Sequence, residues 1–171
     1  MRLRNLDKIS RKTEEILHKR GVEDPEPIGP KALLPALEAA SEETDETLQD
    51  MWANLLANAM DPNSDTALQR VFTETLKQFE PIDALMFQRM GELSLVDEAD
   101  ALALTMAGQT TFQAGDFDLR KTQVEPSAGH LQKLDCIKTP GNVGGNTLDY
   151  GFVLSAPGIE LYIACTDDAP D

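Results

Sequence analysis

The chain has 171 residues, 41% of them hydrophobic and 26% charged, which is typical of a globular protein and excludes a fully disordered chain. Its formal net charge of −15 opposes binding to bare phosphate backbones. No apolar run approaches the ~20 residues that span a bilayer, no signal peptide opens the chain, and two isolated cysteines make no disulfide framework. We therefore expect a cytoplasmic protein whose thiols are reduced.

The first 22 residues form a basic segment. They carry seven Lys or Arg residues against three acids, a net of +4, whereas the rest of the chain carries eight against 27, a net of −19. Spacings of three and four predict one helical stripe over residues 3–20, formed by Leu3, Leu6, Ile9, Thr13, Ile16 and Leu17. We interpret residues 1–24 as an amphipathic packing helix that ends at Gly21. Peripheral membrane contact by residues 3–20 is the alternative, and it is weakened because Glu14 and Glu15 interrupt the basic face.

A proline-rich connector leads to a second helix, predicted to begin near Pro30, where a missing amide hydrogen costs nothing. Its expected apolar side consists of Leu33, Leu34, Leu37 and Ala40. Acidic residues then interrupt the apolar pattern, and Ser41 or Thr44 is the expected N-cap of the next helix.

The clearest helical period in the chain begins at Leu48. Its apolar positions follow the i, i+3, i+4, i+7, i+8 pattern of one buried face, and they are Leu48, Met51, Trp52, Leu55, Leu56 and Ala59. We interpret Trp52, the single tryptophan, as a core anchor. Asn54 and Asn58 flank this stripe, and we expect them to cap or to bridge to a neighbouring helix rather than to bind a partner.

Two further helices are predicted, one over residues 66–79 and one that begins at Pro81. Their expected inward residues are Leu68, Val71, Phe72, Leu76, Phe79, Ile82, Leu85, Met86, Met90 and Leu93. Residues 97–106 fit either a short helix or a strand, and residues 107–124 are interpreted as loop.

The last fifty residues indicate a different kind of module. A helix at residues 126–134, a turn rich in glycine and asparagine, a strand at residues 150–155 and a final helix give the outline of a winged helix. The predicted fold is mainly α: a helical bundle over residues 28–106, followed by a winged-helix-like module with a small β-hairpin over residues 107–165. Residues 166–171 are expected to form a disordered tail.

The sequence offers no assembled catalytic or metal-binding constellation. His130, Cys136 and Cys165 match no zinc spacing and lack a fourth ligand, and nothing orients His130 as a base for Cys136. The glycine-rich turn lacks the Lys-Ser/Thr pair of a phosphate loop. We therefore expect no enzymatic activity, no cofactor and no bound metal.

Acidic residues cluster between the second and third predicted helices. The Asp-x-Asp-x-Asp-Gly pattern of a calcium loop is absent, so we interpret the cluster as a solvated face that offers a contact surface to a basic partner protein. This surface, the acidic face, consists of Glu42, Glu43, Asp45, Glu46 and Asp50.

Nucleic-acid contact is the alternative role of the winged-helix-like module. The predicted recognition helix offers only His130 and Lys133 as phosphate contacts, and no arginine. Because sequence-independent affinity depends on neutralising phosphates, we interpret the module as a protein-docking or structural element rather than a strong DNA reader.

Five stretches carry the most specific pattern in the chain: LLPALEAAS (33–41), LQDMWANLLANAMDP (48–62), FTETLKQFEPIDA (72–84), LQKLDCI (131–137) and SAPGIELYIAC (155–165). Together they resemble the bacterial abortive-infection alpha family over residues 28–165. The central motif of that resemblance contains Trp52, Asn54, Leu55 and Leu56.

Two positions depart from the family pattern. The usual Leu-Gly at a helix end is Leu134-Asp135 here, and the usual threonine before the final glycine is Ser155. The first departure is expected to alter how tightly that turn closes.

The resemblance implies defence against bacteriophage, in which the infected cell dies or arrests before phage release. It brings no catalytic residues. We therefore expect a non-enzymatic anti-phage protein that acts through a protein partner of phage or host origin. A DNA-binding transcriptional regulator is the alternative, and the sequence leaves homo-oligomerisation, the trigger and the target open.

Overall fold

A computed structural model describes residues 1–94, 114–139 and 152–166 of the chain. In these ranges the protein is mainly helical with one small antiparallel strand pair, which confirms the predicted fold class. The α-helices are α1 (Arg2–Lys19), α2 (Pro30–Glu42), α3 (Glu46–Met60), α4 (Arg70–Leu76), α5 (Pro81–Ser94), α6 (Lys121–Lys133) and α7 (Ala156–Ala164). A 3-10 turn (Ala114–Asp116) precedes α6, and the strands are β1 (Ile137–Lys138) and β2 (Val153–Leu154).

The chain divides into two compact units. The first unit contains Met1–Phe79 together with Ile163–Asp171, and the second contains Glu80–Tyr162. The boundary predicted between residues 106 and 107 lies outside the described residues, as do residues 97–106 and most of the predicted tail. The predictions for the domain boundary, for residues 97–106 and for the tail are therefore not tested and stay predictions.

Helix α3 is the central element of the first unit. Nine of its 15 residues are buried, and Trp52 and Leu55 are almost completely inaccessible. The predicted core role of Trp52, Leu55 and Leu56 is therefore confirmed. Burying a large apolar side chain of this kind contributes about 1.5–3 kcal/mol, so this face of α3 supplies a large part of the stability of the unit.

The N-terminus of α3 is capped by Asp45, so the expectation of Ser41 or Thr44 as the cap was wrong. The Asp45 carboxylate accepts the backbone N–H of Leu48 at 3.1 Å. One oxygen of Glu43, Oε1, accepts the backbone N–H groups of Thr44 and Asp45 at 2.7 and 2.8 Å. A carboxylate cap also complements the helix dipole, which a serine or threonine hydroxyl does not do.

Helix α1 packs against α2 and α3, which confirms that it is a packing helix. Its buried residues are four apart, at Asn5, Ile9, Thr13 and Leu17. Leu3 was wrongly assigned to the buried stripe because it is 83% exposed. The Thr13 hydroxyl donates to the Ile9 carbonyl at 2.9 Å within its own helix, and it lies 3.4 Å from the carbonyl of Ala53 in α3.

Gly21 ends α1, as predicted. Its φ of +69° lies in the left-handed region, where glycine carries no steric penalty. The N–H of Gly21 donates to the His18 carbonyl and the N–H of Val22 to the Leu17 carbonyl. This pair of bonds is a Schellman motif, which satisfies the last free carbonyls of the helix.

Helix α2 begins at Pro30, as predicted, and its buried side agrees only in part with the expected one. Leu34 is 64% exposed, whereas Ala36, Ala40 and Ser41 are buried. Small side chains on this side let α1 approach closely, and Asn5 of α1 donates its side-chain amide to the Ser41 carbonyl at 3.0 Å. Leu34 was therefore wrongly assigned to the buried side, whereas Ala40 was assigned correctly and Leu33 and Leu37 are half-buried.

Helix α4 is shorter than predicted, since it covers Arg70–Leu76 rather than residues 66–79. Leu68 and Phe79 are nevertheless buried outside the helix, whereas Val71 is 57% exposed. In the second unit, the predicted inward residue Leu85 of α5 is 46% exposed. Four residues of α5 that were not predicted to face inward are buried: Asp83, Ala84, Phe87 and Gly91.

Helix α6 begins at Lys121, five residues before the predicted start. The side-chain oxygen of Gln123 accepts the backbone N–H of Arg120 at 3.3 Å, which stabilises this earlier helix start, and Pro126 lies inside the helix. Strands β1 and β2 pair with Ile137 opposite Leu154. Residues 140–151, which would form the wing, lie outside the described residues, so the winged-helix-like detail stays a prediction.

Candidate functional site

The five residues of the acidic face lie together at the junction of α2 and α3. Glu42 is the last residue of α2, Glu43 and Asp45 lie in the turn, and Glu46 and Asp50 lie at the start of α3. The turn between the helices has only three residues, so the five carboxylates share one region of the first unit.

The basic helix α1 supplies counter-charges to this region. Arg2 pairs with Glu42, and Lys12 pairs with Asp50. The Lys12 ammonium also lies 3.9 Å from Oε1 of Glu46. The positive charge of the first 22 residues is thus placed against the acids that follow. The Arg2–Glu42 pair is exposed and the Lys12–Asp50 pair is partly exposed. Exposed ion pairs contribute about 0–1 kcal/mol each, because water competes for both charges.

The residues of the acidic face differ in what else they do. Glu43 and Asp45 accept backbone hydrogen bonds that form the turn and cap α3. The side chains of Glu42 and Glu46 are exposed by 59% and 88%, and within the described residues only ion pairs hold them. Glu42 and Glu46 are therefore the residues of the acidic face whose carboxylates are accessible to solvent and take no part in forming the turn.

A groove of about 610 Å³ adjoins the acidic face and is referred to below as the α2–α4 groove. Helices α2 and α4 line its sides, and Trp52 of α3 also contributes to the lining. The lining residues are Pro35, Glu38, Ala39, Glu42, Glu43, Trp52, Thr73, Glu74, Lys77 and Gln78. Four glutamates against one lysine make the groove acidic, and its volume lies within the ~300–1,000 Å³ typical of ligand pockets.

Thr73 in the α2–α4 groove carries an unusual polar group. The residue is only 2% exposed, and its hydroxyl has no hydrogen-bond partner among the described residues. Most buried polar side-chain atoms in proteins have a partner. Sequence reasoning did not single out Thr73, since its neighbours in the chain give no sign that its hydroxyl is unpaired.

The two asparagines of α3 have different surroundings. The Asn58 side chain donates to the Ala164 carbonyl at 2.9 Å and to the Thr166 carbonyl at 3.2 Å, and it accepts from Arg20 at 2.7 Å. The expected bridging role of Asn58 is confirmed. Asn54 donates to the Asp50 carbonyl within α3 at 3.1 Å, and its Oδ1 is buried without a partner in the described part of the chain. The expectation that Asn54 would cap or bridge to a neighbouring helix was therefore wrong.

His130 and Lys133, the alternative nucleic-acid contacts, lie on α6. Nδ1 of His130 is 2.6 Å from Oδ2 of Asp83, and the imidazole is about one-third exposed. Lys133 is exposed. The carboxylate beside His130 adds negative charge to the position at which a phosphate would have to bind, which disfavours nucleic-acid contact there.

Asp83 is a buried residue whose role sequence reasoning missed. It accepts the backbone N–H of Glu80 at 2.8 Å, the Ser127 hydroxyl and the His130 ring. Ser127 donates to Asp83 and not to His130, so the three side chains do not form the nucleophile–base pair of a hydrolase triad. One available signal was the acid three residues after Glu80, the pattern in which a side chain at N3 caps its own helix.

The thiol of Cys136 is buried beside the strand pair. Burial, together with the negative charges of Asp135 and Asp83, raises the pKa of Cys136 to about 12. The thiol is therefore protonated at neutral pH, and a protonated thiol is a poor nucleophile.

Within the described ranges, no group of three or more His, Cys, Asp or Glu residues is arranged to hold a metal ion. No described helix combines the length and apolar character needed to cross a membrane.

These observations define a mainly α-helical protein in which a basic N-terminal helix packs onto a tryptophan-bearing helix beside a cluster of carboxylates. Comparison with known families matches residues 2–168, nearly the whole chain, to abortive infection alpha, and the chain belongs to this family. The family resemblance noted in the sequence is thereby confirmed. Curated proteins gave no significant match, and neither did solved structures.

Proposed function

We propose that this chain is a non-enzymatic protein of abortive-infection defence that acts by binding a partner protein through its acidic face. The family to which the chain belongs suggests abortive infection. In such defence the infected cell dies or arrests before phage release. The proposed partner is a phage or host protein with a basic contact surface.

The observation that carries the proposal is the gathering of five carboxylates at one exposed helix junction. Like charges held close together are unfavourable to one another, so a cation that approaches them is attracted by all five. Residues after position 22 carry a net charge of −19, which adds long-range attraction for a basic partner. The ion pairs to Arg2 and Lys12 are weak enough for a partner to replace them.

Charge reversal at Glu42 and Glu46 tests the proposal. These two side chains make no backbone hydrogen bond in the described structure, whereas reversal at Glu43 or Asp45 would also remove a helix cap. The double variant Glu42→Lys/Glu46→Lys is expected to fold and to lose phage protection in a plaque assay. A matched control, Glu14→Lys/Glu15→Lys on the exposed side of α1, makes the same change in net charge and is expected to keep protection.

Circular dichroism and thermal unfolding of both double variants separate a lost contact from a lost fold. Full protection by a folded Glu42→Lys/Glu46→Lys variant would exclude the acidic face as the contact surface. Copurification from infected and uninfected cells then identifies the partner that the wild type retains and this variant loses.

A DNA-binding regulator that uses His130 and Lys133 makes a different prediction. Phosphate contacts are strongest at low salt, so a regulator would bind duplex DNA there and lose affinity as salt rises. We expect no binding even at low salt, and salt-dependent binding abolished by Lys133→Glu would favour the regulator over the proposed function.

A further inference from the structure

We infer that the α2–α4 groove is a binding site for an arginine-bearing basic segment of a partner protein. This inference rests on the proposed function and adds the place and the chemistry of recognition. It depends on three observations in the first unit: a groove of sufficient size, carboxylates with unused acceptor capacity, and a buried hydroxyl without a partner.

The carboxylates of the groove are not all engaged. Glu74 pairs with Lys77 and Glu42 with Arg2, but Glu38 makes no ion pair among the described residues. Both backbone N–H groups that Glu43 accepts donate to its Oε1. Oε2 of Glu43 and the whole carboxylate of Glu38 therefore keep their capacity to accept hydrogen bonds from a ligand.

The hydroxyl of Thr73 is the observation that separates this groove from an ordinary acidic surface. A threonine hydroxyl has two acceptor positions and one donor, and in this groove none of them is used within the described structure. The oxygen exposes less than 1 Å² of its own surface, so a bound N–H donor has to displace part of the groove wall to supply the missing partner. The group that satisfies Thr73 and the acids together is a cation with several N–H donors.

Arginine fits this requirement better than lysine. The guanidinium carries five N–H donors in a planar fork, which can serve a carboxylate and a hydroxyl at the same time. Its flat face and its stem also suit the apolar part of the lining, which Pro35, Ala39 and Trp52 provide. A lysine ammonium is more strongly hydrated and offers fewer donors in a less fixed geometry.

Continuity with the acidic face indicates a segment of protein rather than a free small cation. Glu42 and Glu43 belong to both the groove and the acidic face. A chain that inserts one arginine into the groove can therefore place its next basic residues over Glu46 and Asp50. A free cation would gain nothing from the acidic face beyond its general attraction.

Calorimetric titration of the full-length protein at low salt tests the inference. The probe is a synthetic peptide of alternating arginine and alanine, and the control peptide has citrulline, a neutral analogue, in place of arginine. Trp52 is the single tryptophan and lines the groove, so its fluorescence gives a second readout. We expect the arginine peptide to bind and to change this fluorescence, and the citrulline peptide to do neither.

Two variants locate the site. Thr73→Val keeps the shape of the side chain and removes a hydroxyl that has no partner among the described residues, so the free protein is expected to be as stable as the wild type or more stable. Thr73→Val and Glu38→Gln are each expected to weaken peptide binding about fivefold to tenfold. The matched control Glu14→Gln, which makes the same charge change as Glu38→Gln, is expected to leave the affinity unchanged.

Wild-type affinity in both Thr73→Val and Glu38→Gln would overturn the inference. So would free arginine amide that binds as tightly as the peptide, since this result would mean a small-cation site. Neither residue belongs to the acidic face. Wild-type affinity in these variants, with protection still lost on reversal at Glu42 and Glu46, would therefore remove the groove site and leave the proposed function intact.

Discussion

The Asp83 carboxylate lies 2.6 Å from Nδ1 of His130, a residue 47 positions further along the chain. The same carboxylate accepts the Ser127 hydroxyl and the backbone N–H of Glu80. Ser127 and His130 are three residues apart on α6, so they project from one side of that helix. A single buried carboxylate thus joins the first turn of α5 to two side chains of α6. These hydrogen bonds fix the position of the two helices of the second unit against each other.

Removal of this carboxylate is expected to destabilise the second unit strongly. Asp83→Ala leaves a buried hydroxyl and a backbone N–H without their acceptor and an imidazole without its partner. We expect a loss of about 3 kcal/mol in the free energy of unfolding, since each unmet buried donor bears its full desolvation cost. Urea denaturation measures this loss, with Asp118→Ala as the control, because Asp118 is exposed. Equal midpoints for the two variants would contradict the prediction.

Alanine substitution at the two asparagines of α3 is expected to change the free energy of unfolding by unequal amounts. Asn58→Ala removes the donor to the Ala164 and Thr166 carbonyls and the acceptor for Arg20, and we expect a loss of about 2 kcal/mol. Asn54→Ala removes one bond within its own helix together with an unsatisfied buried oxygen. Alanine also has the higher helix propensity, so Asn54→Ala should lie within about 0.5 kcal/mol of the wild type or above it.

Thermal and urea unfolding of these two variants provide the comparison. Equal losses at the two positions would mean that the bridge from Asn58 contributes nothing specific. If Asn54→Ala keeps stability and loses phage protection, the family motif contains a residue with a role beyond packing.

The stability of the protein should fall in alkali in part because of Cys136. The pKa of Cys136 is about 12 in the folded chain against an ordinary value of 9.0. Above pH 9 the unfolded chain loses this proton while the folded chain keeps it, so the folded state binds more protons and stability decreases as pH rises. The stabilising contribution is complete below pH 9 and is lost progressively as pH rises toward 12.

Urea midpoints measured on both sides of pH 9 test the contribution of Cys136. In Cys136→Ala we expect a shallower alkaline decrease than in the wild type, because the variant lacks the thiol whose pKa the fold raises. Parallel decreases would show that the thiol is not held protonated by the fold. A thiol reagent applied to the native protein at neutral pH should react slowly for the same reason.

The sequence was sufficient to predict the helices that have strong apolar periodicity. In α3 the apolar residues recur over three turns, and Trp52, Leu55 and Leu56 are buried as their spacing predicts. The predictions for Leu3 and Leu34 failed because periodicity assigns the largest apolar residues to the buried side. The buried positions of α2 are instead Ala36, Ala40 and Ser41, and a preference for small residues depends on the neighbouring helix, which local sequence does not specify.

The polar parts of the structure were less predictable for a related reason. The acidic face could be found because its five residues are close together in the chain, although its pairing with Arg2 and Lys12 could not. Asp83 has its side-chain partners 44 and 47 residues away. Thr73 is distinctive only because its buried hydroxyl makes no hydrogen bond to any described residue. Hydrogen bonds between residues far apart in the chain, and buried groups left without a partner, arise only in the folded protein and give no local sequence pattern.

Asp135 is one of the two departures noted in the resemblance to the family, and its backbone conformation carries an energetic cost. Its φ is +58°, the one non-glycine residue with positive φ in the described ranges. The N–H of Asp135 donates to the Gln132 carbonyl and that of Cys136 to the Leu131 carbonyl. The turn thus closes as a Schellman motif, as it does at Gly21, and the expectation that aspartate alters how tightly it closes stays a prediction.

Asp135→Gly is therefore expected to stabilise the second unit, and Gly21→Ala to destabilise the first. A left-handed conformation costs an L-residue about 1–2 kcal/mol, and aspartate tolerates it better than most residues, so we expect a gain of about 0.5–1 kcal/mol for Asp135→Gly. Gly21→Ala should lose about 1 kcal/mol, although a Cβ at Gly21 would meet no atom within 4 Å. Urea denaturation of both variants measures the two effects, and changes of the same sign would refute the claim that backbone conformation at these helix ends sets their stability.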